Sequence, residues 1–437
     1  MSQLLSRTAV PHSEDAVYQK VARRLIPILF ISYIAAYLDR VNVGFAKLQM
    51  QADIPQISDS VFGLGAGIFF LGYFLFEVPS NILMEKVGPR FWIARIMITW
   101  GLISTAMIFV NSAWLFYTLR FLLGVAEAGF FPGVILYLTY WFPSKRRGEM
   151  VAFFMLAVAL TGVIGAPLSG WILHQFGNSS GLRGWQMLFL LEGIPSILLG
   201  FAIPWLLTDG VKSAKWLTGD EKQMIERALS AEEIHKKDIS LYEVFYHPAL
   251  ILYAVIYFCC VLGLYGTTFW IPQLIKNTGV KDPLYIGLLT AIPYGFGAVA
   301  MVVLGRNSDR SGKRRSTFAM ASFLGAFGIV VSNLFRENAL FATVGLTLAT
   351  IGILAVLPLF WPMPTAVLAG TAAAAGIAWI NSVGNLAGFF GPAIVGWFSE
   401  FTKRSDYGLY LIAGFLVLGG ILALLFVPQK FGADAVK

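Results

Sequence analysis

Long apolar stretches alternate with short polar ones along nearly the whole chain. A helix rises 1.5 Å per residue, so about 20 apolar residues cross a hydrocarbon core roughly 30 Å thick. On that rule twelve crossings are predicted, near 25–47, 61–85, 91–110, 114–141, 149–173, 185–207, 248–272, 284–305, 316–335, 339–365, 371–400 and 407–427. A polar stretch divides them into two sets of six. The expected organisation is a polar tail (1–24), a six-helix bundle (25–207), a linker (208–247), a second six-helix bundle (248–427) and a short tail (428–437). The fold class is therefore an all-α membrane protein with twelve transmembrane helices in two pseudo-symmetric bundles.

The halves echo each other. Glu85 and Gly88 follow the second crossing, Asp309 and Gly312 follow the eighth, and each pair is 224 residues apart. Each loop sets an acid beside a tight glycine turn and basic side chains, namely Arg90 in the first and Arg310, Arg314 and Arg315 in the second, where Gly305 opens the motif. Ion pairs of this kind can latch one face of a bundle pair in a single conformation. The stretch from Gly305 to Arg315 is not a phosphate-binding loop, because its glycines are too far apart, Arg314 stands where Ser or Thr is required, and no strand precedes it. Repeated halves place a binding site at their interface, near mid-membrane.

The chain is 57% hydrophobic and only 13% charged, against about 25% charged in soluble domains. Its surplus apolar surface must meet lipid. The net charge of +8 is not a nucleic-acid signature, because the basic residues lie in short loops on alternate sides of the crossings. With the N-terminus inside, and leaving out Arg7 as too far from the first crossing, 21 Lys and Arg fall in inner segments and 7 in outer loops, the bias that places both termini in the cytoplasm and the chain in a plasma or inner membrane. No signal peptide is read in residues 1–24. Cys259 and Cys260 are adjacent in a crossing and can build neither a disulfide framework nor a metal site. No metal and no cofactor is expected, and no set of catalytic residues is found in the loops, so an enzyme is not expected. The linker, rich in both Lys and Glu, reads as a solvated, partly helical connector.

Four charges fall inside crossings: Asp39 and Arg40 in the first, Arg120 and Glu127 in the fourth. A charge at mid-membrane costs several kcal/mol by most estimates, so such residues face a bundle interior or a wet cavity and mark a substrate or proton path. Asp39 is about 21 Å from the cytoplasmic edge, and Arg120 about 9 Å below the outer one, which makes them level; Glu127 is about 10 Å deeper on the same helix face. Two acids and two cations are neutral together when ionised. With both acids protonated, a surplus of two positive charges remains, which is an anion site. Proton-coupled transport of a carboxylate follows as the expected activity, with Asp39 and Glu127 as the proton sites and Arg40 and Arg120 as the cations. A uniporter or anion exchanger is the alternative. Tyr37, Tyr73, Trp361, Asn381 and Asn385 are candidate lining residues, being polar or amphipathic within crossings. Glu77 and Glu192 are further intramembrane acids that could pair with neighbouring helices.

The runs Asp39–Ala46, Gly72–Asn81, Arg120–Gly133 and Asn381–Pro392 together resemble the anion:cation symporters of the major facilitator superfamily, over residues 18 to 428. Members include bacterial importers of galactonate, glucarate, tartrate, phthalate and hydroxyphenylacetate, and animal sialic-acid and glutamate carriers. The resemblance implies proton carriage by Asp39 and Glu127, substrate binding or switching by Arg40 with Arg120 as its partner, and a pocket lined by Tyr37, Tyr73, Trp361 and Asn381. It also implies the cytoplasmic gate at Gly305–Arg315; the equivalent loop at Asn81–Arg90 departs from the pattern at Asn81 and Glu85. A glutamine that sugar-acid importers carry in the fifth crossing has no counterpart in 149–173, which favours a tartrate- or phthalate-type substrate over a long polyhydroxy acid. The expected partners are a small carboxylate, protons and membrane lipid, and the chain is expected to act as a monomer.

Overall fold

A computed structural model describes residues 14–177, 181–233, 246–367 and 371–428. The two terminal tails lie largely outside them. Among the described residues the chain is helical throughout, without strands. The first half holds α1 (Glu14–Val41), α2 (Val43–Asp53), α3 (Asp59–Val87), α4 (Pro89–Ala106), α5 (Ala113–Glu127), α6 (Phe130–Thr139), α7 (Ser144–Phe176) and α8 (Gly184–Leu206). After α9 (Gly219–Glu233) in the linker come α10 (Pro248–Thr268), α11 (Ile271–Asn277), α12 (Pro283–Ser311), α13 (Arg314–Leu334), α14 (Ala339–Phe360), α15 (Pro362–Val367), α16 (Thr371–Thr402) and α17 (Asp406–Phe426). Among the described residues, eleven stretches are long and apolar enough to cross a membrane, and the 32-residue α16 is the twelfth crossing of the fold.

Breaks recur at every third crossing. The first is interrupted at Asn42, the fourth at Ala128–Gly129, the seventh at Phe269–Trp270 and the tenth at Trp361. Non-helical backbone at membrane depth is tolerated only where protein or a polar cavity surrounds it, so these four crossings belong at the centre. Gly129 has φ 87°, a left-handed conformation that a Cβ disfavours. The hydropathy pattern runs unbroken through all four sites, which is why continuous helices are expected there from sequence.

The halves meet along two equivalent seams, α3 against α16 and α7 against α12. Exchanging the halves turns one seam into the other. Glycines set the approach: a Cβ on Gly63 would lie 2.4 Å from the Pro392 carbonyl oxygen, and one on Gly287 2.4 Å from that of Ala166. Polar contacts seal the end away from the linker. The Lys47 ammonium pairs with Asp59 at 2.8 Å, Asp59 accepts from Ser399, and Glu400 accepts from the Ser58 hydroxyl at 2.5 Å and the Ser60 amide at 2.9 Å. Lys276 donates to the Leu48 carbonyl at 2.8 Å. This end is closed.

The linker is not simply solvated. Trp216 stacks on Trp141 at 5.6 Å, Arg24 lies over the Trp216 ring, Lys20 pairs with Glu221 at 2.8 Å, and Leu217 and Ile225 are buried. The mixed charges of 212–233 cover one face only, and the other packs on the first bundle. Helix α1 likewise begins eleven residues before the predicted crossing, because the turns carrying Glu14 and Asp15 rest against Arg146.

Candidate functional site

At the centre, the last turn of α1 meets the break in the fourth crossing. The Arg40 guanidinium pairs through Nη2 with Glu127 and donates through Nη1 to the Tyr265 hydroxyl of α10 at 2.7 Å. Helical side chains lean toward their own N-terminus, which carries the Arg40 head down α1 to the deeper level of Glu127. The rings of Phe69, Tyr73, Tyr37 and Phe70 surround the guanidinium at 5.1, 5.6, 5.7 and 6.0 Å. Glu127 is the last residue of α5, and its Oε2 has no hydrogen-bond partner. Both partners of this buried ion pair belong to the first half, and the second half reaches it through Tyr265.

Arg120 is fully buried and donates to three main-chain carbonyls, those of Gly65 (3.2 Å), Ala66 (3.2 Å) and Arg40 (3.3 Å). The expected levelling of Arg120 with the Asp39–Arg40 turn holds, but Arg120 spends its donors on backbone. Asp39 faces elsewhere. Its carboxylate accepts from Ser104 at 2.8 Å, Ser196 at 2.5 Å and Trp100 at 3.2 Å, on α4 and α8. Successive helical residues point about 100° apart, so Asp39 and Arg40 are on different sides of α1. The four charges are neighbours, yet they do not line one open path.

The other candidates fall on both sides of the centre. Asn381 donates to Glu77 at 3.1 Å, and Ser382 to its second oxygen at 3.4 Å, a cross-bundle contact one turn below Tyr73. Asn385, half-buried, is a further turn along α16. Trp361 stands at the break of the tenth crossing, its ring 4.9 Å from that of Tyr257, which itself stacks on Phe360. Tyr265, Tyr257, Ser104 and Ser196 are absent from the residues chosen by sequence. Tyr265 could have been found as the counterpart of Tyr37, a phenol within the first crossing of its half; the serines carry no such signal.

The loop motifs are held within their own halves. Arg90 pairs with Asp209 and donates to the Pro204 carbonyl, while Glu85 is exposed. Asp309 pairs with Arg314 at 3.1 Å, and Arg315 caps the Val427 carbonyl at the end of α17. Gly305 and Arg310 are not in a loop: α12 continues to Ser311 and stops only where Gly312 turns left-handed at φ 67°.

The sequence model of the Major Facilitator Superfamily matches residues 29–392. The chain belongs to that superfamily. A protein of Pseudomonas putida described as "Putative metabolite transport protein NicT" is 45% identical over 96% of both chains. One of Agrobacterium vitis described as "Putative tartrate transporter" is 45% identical over 97% of this chain and 98% of its own. Among solved structures, a bacterial homolog of the human lysosomal transporter Spinster, inward-facing and occupied, superposes with a TM-score of 0.76 at 15% identity, over 93% of this chain and 96% of the other. This superfamily member is a multi-pass membrane protein and a secondary transporter, and not an enzyme.

Proposed function

We propose that the transporter carries a small organic anion into the cell together with protons, by alternating access. The observation that supports this is the pairing of Arg40 with Glu127 inside an aromatic box. Arg40 is a cation whose planar fork suits a carboxylate, and a carboxylate of the protein already occupies it. Substrate and Glu127 compete for one guanidinium. A proton on Glu127 removes its charge, weakens the pair and leaves Arg40 open to an incoming carboxylate. Linkage requires the reverse as well, so a bound anion favours protonation by the same factor.

Asp39 acts as the second proton site, a carboxylate held by three donors with no cation in contact. Arg120 supplies positive potential from behind its carbonyls. Tyr37, Tyr73, Trp361, Asn381 and Asn385 line the substrate path, and Glu85, Arg90, Gly305, Asp309, Arg310, Arg314 and Arg315 form the cytoplasmic gate. The substrate is a tartrate- or phthalate-type acid in this reading, in keeping with the description of the Agrobacterium relative. No cofactor is involved beyond the protons, a monomer suffices because one chain supplies every group, and both termini face the cytoplasm of a plasma or inner membrane.

Uptake of radiolabelled tartrate and phthalate into proteoliposomes under an imposed pH gradient tests this. Wild-type protein accumulates substrate and carries protons with it. Uptake that only equilibrates, with no proton movement, identifies a uniporter or exchanger instead.

A further inference from the structure

A third carboxylate stands next to the Arg40 site and has no part in the mechanism above. Glu77 lies on α3, ten residues before its end at Val87, and Asn381 lies ten residues after the start of α16 at Thr371. Both are therefore about 15 Å in from the end opposite the seal. Across the seam between the halves, Asn381 donates to Glu77 Oε1 at 3.1 Å and Ser382 to Oε2 at 3.4 Å. Glu77 is 5% exposed, whereas both donors are half-buried. Tyr73 is one turn, about 6 Å, nearer the sealed end, and its ring lies 5.6 Å from the Arg40 guanidinium. Arg40 is the cation whose charge reaches Glu77, and among the described residues Glu77 makes no ion pair of its own.

Packing alone does not call for an acid here. A glutamine oxygen could accept from the same donors, without the cost of placing an ionisable group inside the bilayer, and acids in such positions mark function. The arrangement repeats that of Glu127, in which a protein carboxylate occupies a donor suited to a substrate carboxylate. Glu127 takes Arg40 of the first half; Glu77 takes Asn381 and Ser382 of the second. With Tyr73 against one and a turn from the other, the two donor sets are neighbours.

We propose that Glu77 holds the place of a second substrate carboxylate: it occupies Asn381 and Ser382 until a diacid anchored on Arg40 takes both donors from it. Hydrogen bonds to an ionised carboxylate are roughly twice as strong as those to a neutral acceptor, so a hydroxyl is a poor competitor and a second carboxylate a good one. A diacid then links a cation of the first half to donors of the second. A monoacid occupies Arg40 and leaves Glu77 in place. Glu77 is on this account a specificity residue, which selects for two carboxylates.

This inference rests on Arg40 as the carboxylate anchor, and equilibrium binding separates the two. Calorimetry on the purified protein at one pH compares tartrate with glycerate and phthalate with benzoate, pairs that differ by one carboxylate. Linked binding events are typically coupled about 5–150-fold, so Glu77→Ala is expected to tighten the diacids by at least about fivefold and to change the monoacids far less. Asn381→Ala combined with Ser382→Ala should bring each diacid toward its monoacid, and in that background Glu77→Ala should give no further gain. An equal gain there would mean that Glu77 acts by charge alone, and diacid binding unchanged or weakened by Glu77→Ala would make it a structural contact. Either result overturns the proposal. Should Glu77→Ala fail to fold, Glu77→Gln, which keeps an acceptor for Asn381 and loses the charge, should tighten the diacids by a smaller factor, and no tightening overturns the proposal in the same way. Wild-type diacid binding by Arg40→Ala overturns the anchor and this inference with it. Diacid binding without coupled proton movement overturns the symport reading alone, and the Glu77 comparison still decides the proposal.

Discussion

Arg40 concentrates the chemistry of the molecule in one side chain: a carboxylate, a phenol and four aromatic rings share its guanidinium. A lysine would keep the charge and lose the fork, since an ammonium cannot meet two carboxylate oxygens in one plane. Charged hydrogen bonds contribute about 1.5–3 kcal/mol each, so Arg40→Lys is expected to weaken binding at least about tenfold and to abolish uptake of tartrate or phthalate at normal membrane levels. Near-normal uptake by that variant would mean that positive charge alone is needed. Glu127 can be probed by stability. Truncating one partner of a buried pair leaves the other uncompensated, at roughly 3–5 kcal/mol. Glu127→Ala is therefore expected to lower the melting temperature more than Glu127→Gln, which still accepts from Arg40 through its amide oxygen. Asp39→Asn should fold, because its serine partners can turn to accept a hydrogen bond, and should lose proton-driven accumulation while keeping equilibrium binding of substrate. Equal accumulation by Asp39→Asn and wild type would make this acid structural. The type and depth of Asp39, Arg40, Arg120 and Glu127 were legible in the chain. Their partners were not, because Ser104, Ser196 and Tyr265 are 65, 157 and 225 residues away from them.

Among the elements, the crossings were readable from hydropathy and the breaks within them were not. An apolar run looks the same whether it is one helix or two, and Gly129, inside such a run, is in fact a left-handed break. A Cβ at Gly129 would lie 2.4 Å from Ser80 Oγ, and a left-handed conformation costs a non-glycine residue on the order of 1–2 kcal/mol. Gly129→Ala is accordingly expected to lower thermal stability and to displace Glu127, which ends the preceding helix. Circular-dichroism melting together with substrate binding checks this. Unchanged values for both would show that the break tolerates a side chain.

For the whole molecule, the closed end is a close fit of backbones with a polar seal, and it should be tunable. A Cβ on Gly63 would lie 2.4 Å from the Pro392 carbonyl oxygen, so Gly63→Leu is expected to favour the state open at that end. A Phe62→Cys reporter labelled from outside with a membrane-impermeant maleimide should then react several-fold faster, in line with a population shift set by the differential energy of the two states. Equal labelling with and without Gly63→Leu would show that the seam does not control opening. At the opposite end, Asp309 holds only Arg314 of its own turn, an exposed pair worth about 0–1 kcal/mol. Asp309→Asn should thus leave melting almost unchanged and slow turnover. A wild-type rate with lost binding would contradict a gating role.

The sequence by itself determined the twelve crossings, their division into two related halves and the four central charges. Each of these follows from local rules: bilayer thickness sets helix length, repetition shows in spacing, and an ionised group in an apolar run is conspicuous because water is absent there. Only the tertiary structure decided that Glu127 takes Arg40, that Arg120 binds backbone, that Asp39 turns away toward α4 and α8, and that Glu192 accepts from Ser169 of α7. Those choices depend on helix rotation and on contacts between residues far apart in the chain, which a hydropathy profile does not encode.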